Sequence, residues 1–209
     1  DPLEMIFYNG DGSRAPMCGN GIRCFAKYCY DEGIQQAKEY DVLTLAGKKH
    51  VSRVSLDPFL VRIGMGSWED DPHMIHVEAQ EPIKQYPLPV GDAVVSVSSC
   101  FMSTIHTVVF VEDAFGKDYS ELGKQICEHP FYHEQTNVNF VEIVDAHTLK
   151  MVTYERGVGM TLACGTGACA AVRYAIEEKG CDNSCQVILK RGELHIDINE
   201  QHEVSMFGP

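Results

Sequence analysis

Apolar and polar residues alternate along residues 41–47 (DVLTLAG), 59–66 (FLVRIGMG), 106–113 (HTVVFVED), 138–144 (VNFVEIV) and 185–198 (CQVILKRGELHIDI). A period of two predicts half-buried strands. Residues 21–33, 120–130 and 166–180 instead carry apolar side chains at helical spacing, and Gly180 stands where a C-terminal cap would close the last of them. The pattern predicts a mixed α and β fold.

Within this pattern one segment repeats. CGNGIRCFAKYC at residues 18–29 lies over CGTGACAAVRYA at 164–175, a shift of 146 positions (164 minus 18). Cys18, Gly19, Gly21 and Tyr28 then meet Cys164, Gly165, Gly167 and Tyr174, and Lys27 meets Arg173. Two similar halves are expected, each presenting a cysteine at a helix start. The acidic, proline-containing stretch 67–73 (SWEDDPH) reads as the linker between a first unit, 1–68, and a second, 69–209.

Composition narrows the function. The chain has 209 residues, 44% of them hydrophobic, enough for one large or two small domains with their own cores. A formal net charge of −13 argues against nucleic acid or an anionic membrane surface as partner and leaves a small molecule. No apolar run reaches the roughly 18 residues of a membrane span, and no signal-peptide pattern opens the chain. The expectation is a soluble, cytoplasmic protein. Nine cysteines form an odd number without a C-x-x-C pair, so most are read as reduced.

The repeated cysteines carry the chemistry. A helix start leaves backbone N–H groups unpaired and bears partial positive charge, which favours a thiolate or a bound carboxylate. If two such starts converge on one amino acid, a thiolate on one face takes the α-proton while a thiol on the other returns one. That inverts the stereocentre. Cys24, Cys29, Cys169 and Cys181 are read as core filling. Cys181 and Cys185 with His195 and His202 lack zinc-finger spacing, and GNG and GTG lack the full dinucleotide or P-loop patterns.

The stretches NGDGSRAPMCGNGIRCFAKY and ERGVGMTLACGTGACAA, with MIFYNGDGS, QTNVNFVEIVD and the ending VSMFGP, resemble the signature regions of the diaminopimelate epimerase family. The resemblance covers nearly the whole chain. It implies an α+β fold of two pseudo-symmetric domains, each a mixed or antiparallel sheet wrapped around a central helix, with the site in the cleft between them. It also implies cofactor-independent and metal-free interconversion of L,L- and meso-diaminopimelate, for lysine and cell-wall precursor synthesis, with Cys18 and Cys164 as the acid/base pair. By the same resemblance Gly19, Asn20, Gly21, Gly165 and Thr166 hold the reacting carboxylate. Asn9, Asn137, Glu155 and Arg156 read the distal amino acid group, and His106 lines the site. Assembly as a homodimer is left as an expectation.

Two departures accompany it. Family members carry Met-Gly-Asn-Pro-His where this chain reads MSTIH at 102–106, which puts Thr104 at the position of a substrate-binding asparagine. A hydroxyl offers fewer hydrogen bonds than an amide, so the distal end of the substrate is held differently. Relatives also begin several tens of residues earlier and continue with a last strand past FGP. A chain lacking those segments is expected to be less stable, to self-associate and to have weak or no activity alone. The alternatives are a racemase of another amino acid such as histidine, a non-catalytic fragment or binding domain, and a redox or metal-binding role.

Overall fold

The computed structural model describes residues 3–8 and 12–209. The chain opens with short strands β1 (Leu3–Glu4), β2 (Phe7–Tyr8) and β3 (Arg14–Ala15), then helix α1 (Gly19–Asp31) and strands β4 (Glu39–Thr44), β5 (Gly47–Leu56) and β6 (Phe59–Gly66). Strands β7 (Tyr86–Val90), β8 (Ala93–Phe101) and β9 (Ile105–Phe110) lead to helix α2 (Ser120–Cys127). Strands β10 (Asn137–Asp145), β11 (Thr148–Glu155) and β12 (Gly159–Thr161) precede helix α3 (Gly165–Lys179), and β13 (Ser184–Leu189), β14 (Gly192–Ile198) and β15 (Val204–Gly208) close the chain.

All three predicted helices form, with ends displaced by up to three residues, and every predicted strand region forms at least one strand. The run at 185–198 is a hairpin, because Lys190 and Arg191 turn it between β13 and β14. Strands β1, β2, β3, β5, β7, β8, β11, β12 and β15 are additions the pattern did not single out.

One sheet of 13 strands runs β1-β4-β5-β6-β15-β14-β13-β11-β10-β9-β8-β7, with β12 on β11. Its continuity rests on β15, which pairs antiparallel with β14 on one side and β6 on the other. The stretch read as a linker is tied down as well. Glu69 bridges Phe101, and Asp70 forms an ion pair with Arg173 of α3.

The helices are placed by their apolar faces. In α1, Ile22, Ala26 and Cys29 are buried at intervals of four and three residues, while Cys24 points to solvent. Cys24 therefore does not fill the core; it lies two residues from Ile22, about 200° around the helix. Cys29, Cys169 and Cys181 are buried as expected. Helix α3 is buried continuously from Gly165 to Ala175 and ends at Gly180, whose left-handed φ of 69° lets the following N–H, of Cys181, reach back to the Ala175 carbonyl. The repeat extends to their ion pairs, exposed on α1 and half-buried on α3: Lys27 meets Asp31 as Arg173 meets Glu177.

Residues from both halves share one core, in which Ile22, Val51 and Ile63 join Met151, Val172, Ile196 and Met206. A second core, including Ile126, Val138 and Phe140, lies under α2. No helix among the described residues is long and apolar enough to cross a membrane.

Candidate active site

The site begins with two helix starts. Cys18 and Cys164 are the N-caps of α1 and α3, with matching extended backbone (φ −134°, ψ 117° and φ −131°, ψ 111°). The first residues of the two helices touch: a Cβ built on Gly19 would lie 3.4 Å from the Gly165 Cα, and the reverse distance is the same. Glycine at both positions allows this approach. The first-turn N–H groups of the two helices thus start from adjoining points, flanked by two thiols. The Gly21 N–H donates to Cys18 Sγ at 3.3 Å. Asn20 Oδ1 accepts from Arg23, whose guanidinium also bonds the Gly19 carbonyl and the Pro209 carbonyl.

Sheet topology brings the other residues to the same end. Strands β9 and β10 run parallel, with His106 opposite Asn137, and β11 returns antiparallel so that its last residue, Glu155, finishes beside the start of β10. Asn137 stitches these ends together, accepting from the Arg156 N–H (2.9 Å) and donating to the Ile105 carbonyl (3.2 Å). Thr161 donates to Glu155 Oε1 at 2.6 Å, and Arg156 Nη1 donates to the Glu134 carbonyl at 2.6 Å.

A cleft of about 560 Å³ opens here, walled by residues 15–17 on one side and by Ser103, Thr104, Asn137, Glu155, Arg156 and Thr166 on the other. The structure therefore brings Thr104, Asn137, Glu155, Arg156 and Thr166 together. Cys18, Gly19, Asn20, Gly21, Cys164 and Gly165 form the adjoining helix starts. Asn9 lies outside the described residues. Thr104 sits on a tight turn in which the Met102 N–H reaches the Thr104 carbonyl at 2.8 Å and Ser103 takes a left-handed φ of 62°.

His106 is fully buried and stands behind the cleft wall. Its Nε2 lies 2.9 Å from Thr166 Oγ1 and its Nδ1 3.2 Å from Asn139 Nδ2. Burial holds its imidazole down to about 3, so the ring is neutral at physiological pH. Burial likewise pushes the Cys164 thiol up to about 12, with the Glu155 carboxylate adding to the rise and the Thr166 hydroxyl opposing it. Cys164 is therefore a proton-bearing thiol at physiological pH.

Asn139 was not apparent from the sequence. It lies in the middle of a strand, and its position two residues after Asn137 was the available signal, since alternation turns both to one face. Met206 was missed for the opposite reason: an apolar residue near the C-terminus gives no local sign that it packs against both Gly19 and Gly165. Among the described residues, no group of three or more His, Cys, Asp or Glu side chains is placed to hold a metal. Cys185 donates to the Asp182 carbonyl, His195 bonds Ser184, and His202 packs at a tilt against Trp68.

Comparison with known proteins agrees with this geometry. The family model for diaminopimelate epimerase matches residues 1–69 and 100–209. A diaminopimelate epimerase of Methanothermobacter thermautotrophicus is 42% identical over 200 residues, 94% of this chain and 70% of that protein. That of Clostridium perfringens is 38% identical over 208 residues, 99% of this chain and 75% of the relative. Among solved structures, a probable proline racemase from Agrobacterium radiobacter with bound carbonate superposes with a TM-score of 0.70 at 15% identity, covering 98% of this chain and 68% of that one. A hydroxyproline epimerase from Agrobacterium vitis with bound trans-4-hydroxy-L-proline gives 0.69 at 15% identity, covering 98% and 67%. These two show a shared fold. With paired cysteine caps on touching helix starts and a family match along both halves, the chain belongs to the diaminopimelate epimerase family.

Proposed function

We propose that this protein interconverts L,L- and meso-diaminopimelate in lysine biosynthesis, by proton abstraction and return at the α-carbon between Cys18 and Cys164. The observation that carries this reading is the contact of two helix starts at Gly19 and Gly165, each capped by a cysteine.

In the proposed reaction the substrate's reacting carboxylate lies against the N–H groups of Asn20, Gly21, Gly165 and Thr166. There the partial positive charge of both helices stabilises the negative charge that develops as the α-proton leaves. One thiolate takes the proton, and the electron pair of the broken C–H bond passes into the α-carbon and its carboxylate. The opposite thiol gives its proton to the other face. The product has the inverted configuration, and thiol and thiolate have exchanged places. The buried Cys164 thiol suits the donor role in one direction, and the half-buried Cys18 faces more solvent.

The distal amino acid group is assigned to Asn137, Glu155, Arg156 and Thr104, with Asn9 retained from the sequence. A planar guanidinium suits a carboxylate, and Glu155 suits an ammonium. Units 1–68 and 69–209 are read as the two pseudo-symmetric halves, supported by the repeated caps and the repeated ion pair at Lys27 and Arg173.

Deuterium incorporation at Cα in heavy water tests the reading, comparing L,L-diaminopimelate with L-histidine. Exchange with diaminopimelate alone, lost in Cys18→Ala and Cys164→Ala, is expected. Exchange confined to histidine, or exchange that survives loss of either cysteine, overturns it.

A further inference from the structure

Behind the cleft wall runs a file of buried hydrogen bonds that ends at Cys164. Thr153 Oγ1 donates to Asn139 Oδ1 at 3.0 Å. Asn139 Nδ2 donates to the Thr107 carbonyl at 3.2 Å and faces His106 Nδ1 at 3.2 Å. His106 Nε2 lies 2.9 Å from Thr166 Oγ1, which lies 3.6 Å from Cys164 Sγ. Asn139, His106 and Thr107 have no exposed surface.

The direction of every proton in this file follows from one carbonyl. A carbonyl oxygen only accepts, so the bond to Thr107 identifies which end of the Asn139 amide is the NH2 group. The second N–H of that group then points at His106 Nδ1, which must offer its bare lone pair. A neutral imidazole has one ring proton, so the proton is on Nε2 and is donated to Thr166 Oγ1. The Thr166 hydroxyl, already accepting from the ring, has its own proton left for Cys164 Sγ. Gly167 leaves room for the amide on the helix side, since a Cβ there would lie 2.2 Å from Asn139 Oδ1.

We infer that Asn139 is a positioning residue for the epimerase reaction: it sets the direction of this file and so aims the Thr166 hydroxyl proton at the Cys164 thiolate whenever Cys164 is the base. The inference rests on the reading above, in which Cys18 and Cys164 exchange the roles of base and acid, so that Cys164 removes the α-proton in one of the two directions. A hydrogen bond to an ionised partner is stronger than one between neutral groups, so the file stabilises the thiolate more than the thiol. It offsets part of the burial that otherwise keeps Cys164 protonated. The other titrating groups near Cys164 are Glu155, Cys18 and Cys169, and none of them hydrogen-bonds Asn139, whose partners are His106, Thr107 and Thr153.

The test combines a measurement without substrate and one with it. In the intact protein, ¹⁵N resonances of the His106 ring report its tautomer, and the Cys164 ¹³Cβ resonance reports thiol ionisation across pH. The wild type should show a single Nε2–H ring. Asn139→Ala and Asn139→Asp should lose that exclusive tautomer, and Cys164 should ionise at higher pH in both, as it should in Thr166→Val. With diaminopimelate, kcat of Asn139→Ala should fall roughly ten- to a hundredfold while KM changes by less than about threefold, the pattern of a lost interaction with the developing thiolate. An Nδ1–H ring in the wild type overturns the inference, whatever the variants do. So does a folded Asn139→Ala protein with unchanged Cys164 titration and turnover. Should the wild type exchange no α-proton of diaminopimelate, the epimerase reading fails, and the tautomer and titration still decide the direction of the file.

Discussion

Gly19 and Gly165 meet backbone to backbone, and the buried Met206 side chain closes over both. A Cβ on Gly165 would stand 2.9 Å from Met206 Sδ, and one on Gly19 3.0 Å from its Cε. Gly165→Ala should therefore destabilise the fold by about 1–3 kcal/mol through overpacking. It should also cost most of the turnover by parting the helix starts. Adding Met206→Ala should recover part of the stability relative to the sum of the two single changes, measured by denaturant unfolding, because the nearest obstacle is that side chain.

Gly167→Ala should be more damaging than Gly165→Ala. Its Cβ would fall 2.2 Å from Asn139 Oδ1, and that amide is held by Thr153, Thr107 and His106. The coupling has a clear signature: in the Asn139→Ala background the same glycine substitution should cost much less, and a double-mutant cycle on unfolding free energy should give a coupling of about 1–3 kcal/mol.

Ser103 holds a left-handed φ of 62° at the position where the family motif has glycine. A side chain in that conformation costs about 1–2 kcal/mol, partly offset by the roughly 0.5–1 kcal/mol that glycine loses through its freer unfolded chain. Ser103→Gly should stabilise by about 0.5–1 kcal/mol, raising Tm by roughly 1–4 °C in a thermal scan. Unchanged KM would show that the turn carrying Thr104 keeps its shape.

The buried His106 links stability to acid. Its folded-state value near 3 lies below the ordinary 6.5, so the unfolded chain binds the extra proton between those limits. The stability is present above pH 6.5 and is lost as pH falls towards 3, by about 1.4 kcal/mol per pH unit at most from this group. Carboxylates contribute to acid unfolding as well. Comparison of His106→Gln with wild type should isolate the effect: the variant's unfolding free energy should fall less steeply between pH 6 and 4.

Several of these residues were legible before any tertiary contact was considered. The helix starts at Cys18 and Cys164 could be read because their signals are local: a cysteine cap, a glycine three residues on, and apolar positions at helical intervals. The repeat then paired them across 146 positions (164 minus 18). Strands β4, β6, β9 and β10 followed from alternation, and the motif residues at 137 and 155–156 from their resemblance to the family.

Tertiary structure decided what depends on partners remote in sequence. Strand β15 joins β6 to β14, which no periodicity within Val204–Gly208 could specify. Cys24 left the core because the buried stripe of α1 runs through Ile22 and Ala26, and His106 withdrew behind Thr166 because β9 is paired on both sides. The role of Asn139 depends on a carbonyl, a ring and a hydroxyl from two other elements, β9 and α3. Which residues could do the chemistry, and on which local element each sits, was readable from the chain alone, since capping and amphipathicity act over a few residues. Their convergence, and the direction in which their protons point, came only with the fold, because packing and buried hydrogen bonds are set between segments far apart along the chain.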